Sequence, residues 1–253
     1  MEPGVKIMAD AGRLAEELAA QLRAWSAEAV AERGRFTVAI PGGSVIPLLG
    51  EALGGGRAGM SAWHWFWVDE RCVSPEDPLS NVRQAREELF AGREAEAGVI
   101  HAPDGGRGPE RAADAYEQVL RRELDAGGDG WPRFDLVVLG VGEDGHVASL
   151  FPGHRALEED RRWVVPVRGA PKPPPDRISL TLPVINAARH VVLAAAGAGK
   201  AGLLERVWTA REGETLLPAQ RVRPAAGGKL WLVDRAAAAR LPASMRESQE
   251  EVR

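Results

Sequence analysis

Of the five histidines in the chain, His146 stands in the setting best suited to reaction. It lies in the segment GVGEDGHVASLFPG, flanked by Gly140, Gly142 and Gly145, with Asp144 two residues before it. Glycine permits positive φ and close approach of backbone to a ligand, so this turn is built for shape. An imidazole there can serve as a general base near neutral pH, as a metal ligand together with Asp144, or as a structural hydrogen-bonding group. No second histidine or cysteine stands at ligand spacing, which ranks metal binding last. Asp144 is placed to orient the ring, although side chains two apart in a turn need not meet. His64, His101, His154 and His190 have no comparable setting.

Three further turns carry groups suited to an anion. Gly42, Gly43 and Ser44 precede a helical pattern, where free backbone N–H groups and the positive end of the helix dipole favour phosphate. The plain alternative is a strand-to-helix turn with Ser44 as N-cap. Gly199 and Lys200 open another helix and add a point charge; the plain reading is a solvated lysine. Arg177 adds a guanidinium near these turns in sequence order. Asp69, Glu70 and Arg71 follow a tryptophan-rich segment, where strand ends commonly carry solvated charges. An arginine held among carboxylates can also steady an anionic intermediate. Ser80 and Asn81 read as a helix cap.

The elements that must position these groups alternate between strand and helix patterns. This predicts an α/β fold, doubly wound, with a mostly parallel sheet and helices on both faces. The apolar run through Phe134, Leu136, Val137, Val138 and Leu139 suits a strand covered on both faces. Other strands are expected at Val5 to Met8, Phe36 to Ile40, Trp63 to Val68, Arg177 to Leu182, His190 to Ala195 and Leu230 to Val233. A helix should run from an Asp10 N-cap through Leu14, Leu18, Leu22 and Trp25 to a stop at Gly34. Further helices are expected at Val45 to Leu53, Ser80 to Phe90, Pro109 to Leu124 and Lys200 to Arg211. Loops should occupy Gly54 to Gly59, Asp104 to Gly108, Ala126 to Gly130 and Gly169 to Pro175, the last containing a stiff PKPPP run. In open α/β sheets ligands bind beyond the carboxyl ends of the strands. All four reactive turns follow expected strands, so they should converge on one edge.

Composition narrows the class. The 253 residues suit a single domain, 1–253, with a polar tail frayed from Ala243. A formal charge of −4 argues against a nucleic-acid or acidic-membrane surface, so an anionic ligand must be met by a local basic pocket. No run approaches the roughly 18 apolar residues of a membrane helix. MEPGVKIMADAG lacks a signal-peptide pattern, which places the expected location in the cytoplasm. The single Cys72 excludes an intrachain disulfide and reads as a packed small residue.

Taken in order, these segments resemble the 6-phosphogluconolactonase family, within the larger group that includes glucosamine-6-phosphate deaminases. The likeness rests on PGGS, on WVDERCVSPEDPLSN from Trp67 to Asn81, on LGVGEDGHVASLFPG from Leu139 to Gly153, on DRISLTLPVINAARHVVLAAAGAGKA and on LWLVDRAAA. The resemblance implies a Rossmann-like fold of the sugar-phosphate isomerase/deaminase type. It also implies hydrolysis of 6-phospho-D-glucono-1,5-lactone to 6-phospho-D-gluconate in the oxidative pentose phosphate pathway. The implied partner is a small phosphorylated sugar lactone, with no cofactor and no metal, and the assembly is a monomer or small homo-oligomer. On this reading His146, with Asp144 beside it, takes a proton from water and returns it to the ring oxygen, and Arg71 stabilises the oxyanion. Gly43, Ser44, Arg177 and Lys200 hold the phosphate, with Gly42 and Asp69 beside the substrate. The sequence departs from the family pattern at Val45 and Val147, each in place of a common threonine, and at Pro47, one place later than the usual proline. The deaminases carry a glutamate five residues after the loop histidine, where this chain has Phe151; that substitution favours lactone hydrolysis over sugar ring opening. A non-catalytic sugar-phosphate sensor is the remaining alternative, and it has no need of a histidine loop.

Overall fold

The computed structural model describes residues 4–54, 60–92, 96–209, 213–225 and 227–247. The expected loop at 55–59, the end of the expected helix at 210–211, and the tail at 248–253 lie outside the described residues. Among the described residues the strands are β1 (Gly4–Met8), β2 (Phe36–Ile40), β3 (Trp63–Trp67), β4 (Asp69–Arg71), β5 (Val99–Ile100), β6 (Leu136–Gly140), β7 (Val164–Val167), β8 (Arg177–Leu180), β9 (His190–Ala195) and β10 (Gly228–Asp234). The helices are α1 (Ala11–Arg33), α2 (Val45–Gly54), α3 (Asn81–Ala85), α4 (Pro109–Glu123), α5 (Leu182–Asn186), α6 (Ala201–Thr209), α7 (Pro218–Arg221) and α8 (Ala243–Glu247).

Seven strands form one parallel sheet in the order β1-β10-β9-β6-β2-β3-β5. Successive side chains on a strand face opposite ways, and β6 shows why its sequence is apolar throughout. Leu136 and Val138 pack with Val38, Ile40, Trp65 and Trp67 under α1 and α2. Val137 and Leu139 pack with Phe66, Phe134 and Leu193 under α4. Helix α1 begins where Asp10 Oδ1 accepts from Arg13 N at 2.9 Å and ends at Gly34, whose φ of +74° gives the left-handed cap. Leu14, Leu18 and Leu22 are its buried stripe.

One feature departs from the expected architecture. At Val68 the chain leaves the parallel sheet and continues as β4, which pairs antiparallel with β8; β8 pairs in turn with β7. The Leu180 N–H donates to Val68 O at 2.7 Å and fixes this departure. Arg177 to Leu180, expected to join the main sheet, therefore belongs to a separate three-stranded sheet. The polar Asp69-Glu70-Arg71 run read as a strand end, and the proline in β7 weakened its strand pattern. Two smaller corrections follow the same logic. The helix expected from Ser80 to Phe90 passes from α3 into a π-turn at Arg86–Phe90, and the tail expected to fray from Ala243 begins with α8. Strand β5, only two residues long, was not foreseen.

At the amino end of β6, buried Asp135 accepts from Thr37 N at 2.8 Å and Thr37 Oγ1 at 2.9 Å, and pairs with Arg33 Nη2 at 3.0 Å and Arg189 Nε at 3.4 Å. Removing a buried charge partner typically costs about 3–5 kcal/mol. Asp135→Ala should lower stability by about 3 kcal/mol in urea unfolding. It should leave turnover nearly unchanged, since the reactive turns lie at the opposite end of the strands.

Candidate active site

The carboxyl ends of the parallel strands open onto a cleft of about 320 Å³. Gly42, Gly43, Ser44, Asp69, Arg71, His146, Arg177 and Lys200 all line it. Asp144 stands behind His146. The four turns thus converge as the topology requires.

The histidine loop is closed by its own backbone. Gly145 N donates to Gly142 O at 2.8 Å and Gly142 N to His146 O at 2.9 Å. Gly145 needs its positive φ of +88°, and Ala148, a non-glycine residue, is held at φ +48°. Gly142 is required for space: a Cβ there would lie 2.1 Å from the His146 ring. The side chains two apart do meet, with Asp144 Oδ1 2.5 Å from His146 Nδ1. A neutral imidazole donating from Nδ1 keeps the lone pair of Nε2 for a proton. The fully buried Phe151 ring lies 4.5 Å from the imidazole. Burial holds the His146 pKa below its ordinary value, while Asp144 opposes that shift. Burial also raises the Asp144 pKa, but the hydrogen bond and charges of His146 and Lys172 bring it below the usual carboxylate range overall.

The charges at β4 are tied into the surrounding structure. Glu70, 1% exposed, accepts from Arg71 N at 2.6 Å, Asn81 N at 2.7 Å, Val82 N at 2.8 Å and Ser80 Oγ at 3.0 Å. Burial nevertheless raises its pKa. Ser80 caps α3 as expected, accepting from Arg83 N at 3.1 Å. Asn81 does more than cap: its Nδ2 donates to Asp69 O at 2.9 Å, and its side chain fills the space beside Gly42, where a Cβ would lie 1.9 Å from Oδ1. Asp69 Oδ2 accepts from Ser149 Oγ at 2.6 Å. Arg71 is fixed by Nη1 donating to Leu79 O at 2.8 Å, and its buried Nε has no partner among the described residues. Cys72 is half-buried, and desolvation pushes its thiol up to about 12, which leaves it inert as a nucleophile near neutral pH.

Two anion-site expectations need adjustment. The Gly43 N–H is already taken by Gln84 Oε1 at 2.7 Å, so Ser44 and the start of α2 carry more of that turn's capacity. Arg177 donates from Nε to Pro174 O, from Nη2 to Lys172 O and Pro173 O, and from Nη1 to Ser149 Oγ. It anchors the proline-rich strap, leaving one Nη1 N–H uncommitted among the described residues. That strap supplies Lys172, a cleft residue that sequence reasoning missed, with Nζ 3.6 Å from Asp144 Oδ1. Its signal was a lone cation in a rigid segment, read only for stiffness. Lys200 Nζ donates to Val141 O at 2.8 Å, and burial lowers its pKa. Gly197, at the head of the same turn, is held by both oxygens of Asp234. Among the described residues no third donor joins His146 and Asp144 in a metal-ligating group.

Residues 9–231 match the family described as glucosamine-6-phosphate isomerases/6-phosphogluconolactonase. The chain belongs to this family. It is 40% identical over 238 residues to the probable chloroplastic 6-phosphogluconolactonase 3 of Oryza sativa subsp. indica, an alignment covering 90% of this chain and 73% of that protein. It is 39% identical over 211 residues to the 6-phosphogluconolactonase of Homo sapiens, covering 81% of each. The solved 6-phosphogluconolactonase from Trypanosoma cruzi superposes with a TM-score of 0.82 at 26% identity, over 96% of this chain and 98% of that one. A monomeric glucosamine-6-phosphate deaminase shares the fold, with a TM-score of 0.73 at 19% identity over 94% of this chain and 99% of that one.

Within the family fold, Gly142 is the position where a single methyl group meets the histidine ring rather than backbone. Gly142→Ala should displace the imidazole and lower kcat by about 10²-fold, with the thermal unfolding midpoint shifted by only a few degrees. A kcat close to wild type would show that the close packing against His146 does not set its position.

Proposed function

We propose that the chain hydrolyses 6-phospho-D-glucono-1,5-lactone to 6-phospho-D-gluconate, the lactonase step of the oxidative pentose phosphate pathway. The observation that carries this reading is the Asp144–His146 pair, 2.5 Å apart and packed against Phe151, at the floor of a cleft lined by Arg71, Lys172, Arg177 and Lys200. A lactone carbonyl is already electrophilic. The site must supply a base, an oxyanion stabiliser and a grip on the distant phosphate.

His146 Nε2 takes a proton from water as its oxygen adds to the carbonyl carbon. The carbonyl π electrons move to oxygen, and Arg71, fixed by its bond to Leu79, neutralises the oxyanion. Collapse breaks the bond from that carbon to the ring oxygen, and the imidazolium returns the proton to this leaving oxygen. Asp144 holds the ring in the productive tautomer and stabilises the transient imidazolium. Ser44, Lys172, Lys200 and the remaining Arg177 N–H hold the phosphate, with Gly42, Gly43 and Asp69 shaping the wall. Phe151 occupies the place where ring-opening chemistry would want a carboxylate, which disfavours an amino-sugar phosphate deaminase.

The reading includes action without a bound metal, a cytoplasmic location, and a single-domain monomer or small homo-oligomer. Among the described residues no helix is long and apolar enough to cross a membrane.

His146→Ala should lower kcat by at least about 10²-fold while 6-phosphogluconate binds within a few-fold of wild type. The measurement is a coupled assay with lactone freshly generated from glucose 6-phosphate, corrected for spontaneous hydrolysis. Equal loss of turnover and binding would remove His146 from the base role.

Because burial lowers the His146 pKa and Asp144 raises it, kcat/KM should fall as pH drops through a value below the usual histidine range. Asp144→Asn should reduce kcat and move that acidic limb to still lower pH. A limb that moves upward would contradict the assigned pairing.

A further inference from the structure

His64 and His101 are separated by 37 residues and showed no chemical setting in sequence, yet His64 Nδ1 and His101 Nε2 lie 3.0 Å apart. Glu123, the last residue of α4, completes the group: one donor atom from each residue lies within 4.8 Å of the others. None of the three lines the lactone cleft. They gather near the amino end of β3, on the face that packs against α4. We propose that His64, His101 and Glu123 form a binding site for one zinc-class divalent cation, which clips edge strand β5 and the end of α4 to β3.

The donor chemistry selects the ion. Two imidazole nitrogens and one carboxylate suit Zn²⁺, Co²⁺ or Ni²⁺, whereas Mg²⁺ and Ca²⁺ prefer oxygen. A tetrahedral ion with bonds of about 2.0–2.1 Å needs donors about 3.3 Å apart. The histidine pair is already close to that spacing, and the long Glu123 side chain can close the rest by rotation. The His101 ring is oriented by stacking on Phe66, centroids 4.5 Å apart and 11° from parallel, and its backbone N–H donates to Trp65 O at 2.9 Å. Without a cation the two facing nitrogens must share a proton, one donating and the other accepting. With a cation both present lone pairs to it, so the ring that had been donating moves its proton to its opposite nitrogen and the other keeps its tautomer.

The surroundings moderate affinity without blocking it. Arg122 Nε donates to Glu123 Oε1 at 2.7 Å, and Arg35 lies close enough to act on His64. A carboxylate has lone pairs for both an arginine and a metal. Water would complete the coordination sphere. The ion would secure β5 above all, since β5 pairs with β3 at only His64↔Val99 and Trp65↔Ile100, whereas α4 is already tied to β3 through Tyr116 and Trp67. Its role is therefore structural, with the chemistry left to the opposite end of the sheet.

The test uses the full chain, stripped with chelator and titrated with ZnCl₂ and CoCl₂. Calorimetry should give about one Zn²⁺ per chain, Co²⁺ should produce visible d–d absorption, and a hundredfold excess of Zn²⁺ over Kd should raise the unfolding midpoint by about 5–10 °C. His64→Asn and Glu123→Gln should each weaken binding more than about tenfold and abolish the midpoint shift, with lactonase kcat unchanged. Glu123→Gln lies at a helix end and keeps the test decisive if the strand variant folds poorly. Binding should persist in His146→Ala, which separates this site from the Asp144–His146 pair. Absence of binding, or binding lost in His146→Ala and kept in Glu123→Gln, would overturn the proposal and leave a structural histidine pair.

Discussion

The constraint on which this molecule depends is that seven strands run the same way in a sheet buried on both faces. Parallel strands cannot be joined by tight hairpins, so every chain crossing must turn at the carboxyl edge and return through a helix. The turns that carry Ser44, His146 and Lys200 therefore face one another because of connectivity, although 156 residues separate the first from the last. Buried faces also exclude polar side chains from the strand interiors. Polar groups capable of chemistry are displaced to the ends, and the cleft edge collects them.

The departure at Val68 adds what a plain parallel sheet would lack. By leaving β3 and pairing with β8, the chain brings Arg71 directly across from Arg177. Like charges opposite each other on antiparallel strands repel. Here the repulsion is absorbed by neighbours: Asp69 acts favourably on Arg177, Leu79 O holds Arg71, and the carbonyls of Lys172, Pro173 and Pro174 hold Arg177. Burial lowers the Arg177 pKa first, and Arg71 lowers it further. Two guanidiniums kept close by surrounding acceptors are arranged to attract an anion and move little when it arrives. This fits an anionic ligand better than a neutral sugar, in line with the separate oxyanion and phosphate roles proposed for Arg71 and Arg177, and it explains why an overall acidic chain carries a locally cationic cleft.

The sequence made the convergence legible because glycines and charged residues sit immediately after apolar runs. Phe134 to Leu139 announced a strand covered on both sides, and the Asp10 and Gly34 caps marked both ends of α1. The small sheet was hidden for a physical reason: β4 is three charged residues whose partners come from more than 100 positions later, and no local periodicity reports that pairing. Lys172 was hidden by its neighbours, since prolines declare stiffness more loudly than one lysine declares charge. The meeting of His64 and His101 depended on β5, whose two residues carry no pattern. Gly43 shows the reverse case. Its glycine was legible, with φ +70° as the structure requires, but the commitment of its N–H to Gln84 is a tertiary fact.

The histidine loop shows how fold and chemistry constrain each other. Ala148 is held at φ +48°, a region that costs a non-glycine residue of order 1 kcal/mol and persists only where its surroundings enforce it. The enforcement is visible on both sides: Val147 makes bridges to Val141 and Leu150, and Ser149 is tied to Asp69 and Ser179. The strained residue therefore links the loop that aims His146 to the small sheet that carries Arg71 and Arg177. In the proposed mechanism a base in the loop after β6 and an oxyanion donor on the small sheet must keep a fixed separation as charge develops. Backbone strain held by contacts to both sheets transmits that separation more rigidly than a flexible glycine at the same position would.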